Sequence, residues 1–265
     1  MLMKMKIAAL AAACLLTAEA ARAETLYKFA VSPEGSKATF GVKWEPIIKA
    51  LSEKSGLPLQ LVIEDGYDAY YAKYAKRAYD FVYINPLSFV RKAPAGAYVP
   101  IARKEGKLQG MIVVAKDSPL AGIRDLSGKR IAYASRDSYA ATILTQEDLK
   151  AAGVDPEKGA VYTGAHDKAY AEVIAGRADA AGANMGTFKL LKPEDAGKLR
   201  ILYTGTPVVS HPFVARADLP KDVVKKMQDA LISLAATPEG LGQLKAAGLG
   251  ALIAASEEDY AALRK

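Results

Sequence analysis

The chain has 265 residues, with 36 Lys and Arg against 29 Asp and Glu, two His, one Cys and a formal net charge of +7. That length fits one large domain or two modest ones, and a lone cysteine excludes a disulfide framework. The positive excess is mild and scattered, with no basic run, which sets nucleic acid aside and leaves a long-range pull on small anions.

Residues 1–23 read as a cleavable secretory signal. Lys4 and Lys6 precede the apolar run 7–16, and Ala21-Arg22-Ala23 makes an A-x-A cleavage site. The run is shorter than the ~20 residues of a membrane span. A lipoprotein cut at Cys14 is the rival reading, but Ala11-Ala12-Ala13 makes a poor lipobox. Cleavage after Ala23 leaves 242 of the 265 residues and removes Cys14. It also removes Lys4, Lys6, Arg22 and Glu19, lowering the formal charge from +7 to +5. The mature chain then has no thiol for a metal site or a nucleophile and is held by an ordinary core.

The remaining chain alternates strand-like and helix-like stretches. A strand at 26–31 is followed by a turn and by helical spacing over 39–55, where Phe40, Trp44, Ile47, Ile48 and Leu51 share a face. Strands at 59–63 and 80–84 bracket a short helix at 67–76. Asn85-Pro86 opens another helix, since Pro is tolerated in a first turn. Strands at 98–102 and 111–115 complete this half. The pattern restarts with strand 130–134, helix 139–152, strand 161–163, helix 167–175 and strands 179–183, 200–203 and 212–215. Helices follow over 221–235, 238–247 and 257–263. Alternating elements predict parallel sheets covered by helices. Two such series predict two α/β lobes with a cleft between them.

Five stretches together resemble a known family: 79–86 (YDFVYINP), 113–119 (VVAKDSP), 125–132 (DLSGKRIA), 164–167 (GAHD) and 176–180 (GRADA). In this order and spacing they are similar to the periplasmic solute-binding proteins of phosphate, phosphite and phosphonate uptake systems, over nearly the whole mature chain. The resemblance implies a two-lobed type II periplasmic-binding-protein fold, each lobe a sheet flanked by helices. It implies lobe I from 24–114 plus 206–265 and lobe II from 115–205, with crossings near 114–116 and 203–206.

The resemblance also proposes site residues. The family loop Ser-Thr-Ser-Gly, whose hydroxyls and amides surround phosphonate oxygens, corresponds here to Ser138-Tyr139-Ala140-Ala141. The physics holds for any side chain. The first amides of a helix have no intrahelical partner, and the helix dipole adds about half a positive charge there. A purely structural Ser138 would cap the helix instead, and Asp137 would repel an anion if it turned inward. His166 and Tyr67 match family residues that contact the oxyanion. Asn85 and Ser88, like Ser36 and Thr39, stand at helix starts where they either cap or donate. Where family members that bind aminoalkylphosphonates carry two acids for the ammonium, this chain has Gly186 and His211. An amine left unpaired in a closed cleft costs several kcal/mol, so an oxyanion without an amine, or with a second acidic group, is expected.

The expected protein is a periplasmic monomer without cofactor. It binds a small anionic ligand by hinge closure and presents it to the membrane permease of an ABC transporter or to a sensor kinase. Two other classes are weighed. Ser138, His166 and Asp137 or Asp167 are triad residue types, but no G-x-S-x-G elbow exists. His166 and His211 are a thin metal-ligand set.

Overall fold

The computed structural model describes residues 25–33 and 37–264. The leader at 1–23, with Cys14, and Ser36 lie outside the described residues. The first lobe opens with β1 (Tyr27–Val31), α1 (Lys37–Ser55), β2 (Leu59–Val62), α2 (Tyr67–Ala75), β3 (Phe81–Tyr83), α3 (Pro86–Arg91) and β4 (Tyr98–Lys104). Then come β5 (Gly110–Ala115), a 3-10 turn (Ile123–Leu126) and β6 (Ile131–Tyr133). A π-helical stretch (Tyr139–Leu144) runs directly into α4 (Thr145–Ala151). After it come β7 (Ala160–Tyr162), α5 (His166–Ile174), β8 (Ala180–Asn184), α6 (Met185–Phe188), α7 (Pro193–Ala196) and β9 (Leu199–Thr204). The chain ends with β10 (Pro212–Arg216), α8 (Lys221–Ala235), α9 (Pro238–Ala246), β11 (Leu252–Ala254) and a 3-10 helix (Glu257–Arg264). Among the described residues no helix is long and apolar enough to cross a membrane.

Two sheets result, ordered β11-β4-β10-β3-β1-β2 and β7-β6-β8-β5-β9. The parallel sheets expected from the alternating pattern are in fact mixed. Strands β2, β1 and β3 are parallel, as are β7, β6 and β8. The strands beyond them pair antiparallel. Parallel neighbours need a crossover of a dozen or more residues, usually a helix. The first three strands of the chain have such crossovers. Strands β10, β4, β5 and β9 adjoin the passages between lobes and do not.

The first expected boundary also moves. Strand β5 pairs with β8 and β9 in the second sheet, so the chain leaves lobe I between Lys104 and Gly110, not at 114–116. Its run GMIVVA is buried over Gly110–Val114. A strand so uniformly apolar carries no mark of which sheet it joins. The return passage runs between Thr204 and Pro212. The two passages are tied to each other: the Leu108 N–H donates to Val208 O at 2.9 Å and the Val208 N–H to Leu108 O at 2.7 Å.

The apolar stripe of α1 packs Trp44, Ile47 and Leu51 onto Phe29, Phe81 and Phe213, beside Met227 and Leu231 of α8. The other face of this sheet buries tyrosines. Tyr70 donates its hydroxyl to Tyr83 O at 2.8 Å and Tyr74 to Phe89 O at 3.3 Å. In the second lobe Val113, Ala132 and Tyr170 fill one face, and Ile112, Tyr133 and Leu149 the other.

Two glycines let the π-helical stretch sit on its sheet. A Cβ at Gly182 of β8 would lie 2.0 Å from Ala141 O, and one at Gly110 of β5 would lie 2.5 Å from Ala140 O. No side chain fits between these backbones. Gly182→Ala is expected to destabilise the protein by about 1–3 kcal/mol through overpacking. Urea unfolding reads this directly, and a variant with unchanged midpoint would refute the close contact.

Candidate functional site

The parallel strands of both sheets end at the interface between the lobes, and the residues that follow them converge there. Ser32 follows β1, Tyr67 opens α2 after β2, and Asn85 follows β3. From the second lobe, Ser138, Tyr139 and Ala140 come after β6, His166 after β7, and Asn184 closes β8. His211 stands just before β10, whose start lies beside the end of β3. These residues line one cavity. Ligands in open α/β sheets bind at the carboxyl ends of strands for the same reason: loops and helix N-termini collect there.

All seven residues expected from the sequence lie in this cavity: Ser138, Tyr139, Ala140, His166, Tyr67, Asn85 and His211. None of them is more than 9% exposed. Ser32 and Asn184 are additional. Ser32 sits in a Ser-Pro-Glu-Gly sequence that reads only as a turn, and Asn184 in a strand-end position with no motif around it. The weak signal for both was their place, a polar residue directly after an apolar strand.

The cavity is tight. In this arrangement of the lobes it has room for about one water. No carboxylate lines it, and no Lys or Arg. Its polar groups are hydroxyls, amides and two imidazoles.

The helix start is built as an uncapped donor array. The first intrahelical bonds run from the Thr142 and Ile143 N–H groups to Ser138 O, at 2.9 and 3.1 Å. The amides of Tyr139, Ala140 and Ala141 precede them and have no acceptor within the helix. Ser138 makes no side-chain cap. Its Oγ lies 3.5 Å from His166 Nε2 instead. Burial pushes the Tyr139 phenol up, so it keeps its proton and remains a donor at neutral pH.

Asp137 does not intrude. Its carboxylate accepts from Lys92 Nζ of the other lobe at 2.8 Å. The pair is about one-third exposed on each side, which limits it to about 0.2–1 kcal/mol. Asn85 makes a second link. Its Oδ1 caps α3 by accepting from Ser88 N–H at 2.7 Å, while Nδ2 donates to Tyr71 Oη at 2.9 Å and to Asp137 O at 3.4 Å. Of the two roles posed from the sequence, capping or donating to a ligand, the side chain performs the cap, and it also lines the cavity. His211 stacks on Tyr83, with ring centroids 5.2 Å apart and an interplanar angle of 21°.

The triad residue types do not assemble. Asp137 faces Lys92, and Asp167 lines a separate outer groove next to α1. Among the described residues, no group of three or more His, Cys, Asp or Glu side chains could hold a metal.

Two α/β lobes enclosing a donor-lined, carboxylate-free cavity define a two-lobed solute-binding protein of the type II periplasmic class. Residues 29–260 match the family described as ABC transporter, phosphonate, periplasmic substrate-binding protein. The chain belongs to this family, whose members bind solute and are not enzymes. A binding-protein component of an ABC phosphonate transporter from Pseudomonas aeruginosa has a similar fold: TM-score 0.82, 16% identity, 91% of this chain and 85% of that one covered. PhnD1 from Prochlorococcus marinus, solved in complex with methylphosphonate, superposes with a TM-score of 0.79 at 21% identity, covering 89% of this chain and 94% of that one. No curated protein matches the chain.

Because Asn85 holds a helix cap and two further bonds, Asn85→Ala should lower unfolding free energy by about 1–2 kcal/mol. Asn85→Asp keeps the cap acceptor and should recover part of that loss. Equal destabilisation by the two substitutions in chemical denaturation would show that the cap contributes nothing.

Proposed function

We propose that this protein is the periplasmic receptor of an ABC uptake system for a small oxyanion of the phosphate, phosphite or phosphonate type, held between the lobes on closure. The observation that carries the reading is the cavity itself. It offers hydrogen-bond donors from both lobes, an uncapped helix start and no carboxylate. An anion there gains charge-assisted hydrogen bonds from the donors and the dipole of the helix. A cation would have no counter-charge. Ser138, Tyr139, Ala140 and His166 would hold it from lobe II; Tyr67 and His211 would hold it from lobe I, with Asn85 lining the cavity while its own hydrogens go to Tyr71 and Asp137 O.

Closure follows from this division of labour. Neither lobe alone satisfies the anion, so the ligand binds the closed arrangement better and shifts the population toward it. Lys92 and Asp137 would add a latch at the rim, and the closed outline is what a permease would recognise. Export would proceed through cleavage after Ala23, leaving a free protein in the periplasm.

Thermal shift and calorimetry against phosphate, phosphite, methylphosphonate, sulfate and 2-aminoethylphosphonate test the reading. A ligand at 100 times its Kd should stabilise the protein by about 2.7 kcal/mol. Ser138→Ala and His166→Ala should each weaken binding roughly tenfold or more, since a lost bond to a charged group costs about 1.5–3 kcal/mol. The aminated ligand should bind worst of the phosphonates. Silence toward every oxyanion would overturn the assignment.

The latch makes a separate prediction. Lys92→Ala should raise the ligand off-rate a few-fold at low salt, with the difference shrinking at high ionic strength. Stopped-flow release kinetics would detect it. An off-rate unchanged at every salt concentration would leave the pair without a role in closure.

A further inference from the structure

Two larger spaces share residues with the cavity, and they differ in chemistry. On the outer side, His166 also borders a wide groove of ≈700 Å³ walled mainly by apolar residues of α1, α5 and the segment beyond α6, among them Phe40, Val42 and Leu190. Asp167 and Asp195 stand there beside Lys43 and Lys192, so the groove has no charge preference. On the hinge side lies a chamber of ≈210 Å³ that shares Asn184 and His211 with the cavity. Lys104 and Lys107 line it, and no carboxylate does.

We propose that this hinge-side chamber receives a second anionic group of the same solute, so that the ligand is a compact phosphonate or phosphate ester bearing a carboxylate. The inference rests on the reading of the cavity as an oxyanion site. In this arrangement of the lobes the cavity has room for no more than a water-sized group, so it does not enclose a two-headed solute by itself. A further part of the solute can extend toward either neighbouring space, past His166 or past Asn184 and His211. An ionised arm entering the outer groove would meet Asp167 and Asp195 as well as Lys43 and Lys192, with no net attraction. An arm entering the hinge-side chamber comes instead between the two lysines that line it, Lys104 and Lys107.

The chamber is built to stay open and positive. Lys104 Nζ donates to Gly248 O at 3.1 Å, which holds that side chain along the wall. Gln109 commits its amide to Gly205 O at 2.6 Å and thereby to the crossing. Gly186 keeps the passage wide. A Cβ there would come within 3.1 Å of Asn184 Oδ1 and 3.5 Å of Gly248 O. An ammonium-bearing arm in the same space would face two lysines and no carboxylate.

The test uses calorimetric titration of the mature protein with methylphosphonate, phosphonoacetate and 2-aminoethylphosphonate. Phosphonoacetate should bind at least tenfold tighter than methylphosphonate. Lys104→Gln and Lys107→Gln should remove most of that difference while leaving methylphosphonate affinity within about twofold. Methylphosphonate binding with no gain for phosphonoacetate overturns this inference and leaves the oxyanion reading standing. A gain that survives both substitutions, or a gain of equal size for 2-aminoethylphosphonate, also overturns it. Failure of all three ligands to bind defeats the oxyanion reading, and this inference with it.

Discussion

The close contact between two backbones governs the site. Ala140 and Ala141 lie with their carbonyls against Gly110 and Gly182, so the start of the long helix rests directly on the sheet of lobe II. That contact sets the position of three amides that have no intrahelical acceptor, at the edge where the parallel strands end. Thr145 braces the same turn, donating its hydroxyl to Ala141 O at 2.7 Å. The π-helical winding of Tyr139–Leu144 belongs to the same arrangement, and such windings recur at functional sites.

Charge is managed around the cavity rather than inside it. The lining carries no ionised acid or base other than what its two imidazoles provide. Asp137, adjacent in sequence to the donor array, has its carboxylate drawn to Lys92 on the opposite lobe. One ion pair thereby keeps a negative group out of the cavity lining and ties the lobes together. A site made of neutral donors and backbone dipoles avoids the desolvation cost of a buried lysine or arginine and still favours an anion.

The tyrosines of α2 show how far residue patterns reach. Tyr67, Tyr70, Tyr71 and Tyr74 crowd one short segment, and spacing alone leaves their roles even. In the folded chain Tyr70 and Tyr74 are core residues bonded to backbone carbonyls, Tyr71 accepts from Asn85, and Tyr67 lines the cavity. One helix turns only part of its circumference to the cleft, and which part is set by the sheet beneath it. The same limit explains Ser32 and Asn184. Their chemistry is ordinary, and only the convergence of two sheets gives it meaning.

The candidate site residues were legible through the family resemblance; by itself the sequence determined the alternation of strands and helices and the helix starts at Asn85 and Ser138. Those are local properties, carried by apolar periodicity, turn residues and capping preferences. The tertiary structure decided that both sheets are mixed, that β5 belongs to the second lobe, and that Asp137 faces away from the cavity. Each depends on partners far apart in the chain: β5 on β8 and β9, and Asp137 on Lys92. An apolar strand fits any buried sheet, and a carboxylate turns toward whichever cation the fold brings near, so neither outcome is written in its own neighbourhood.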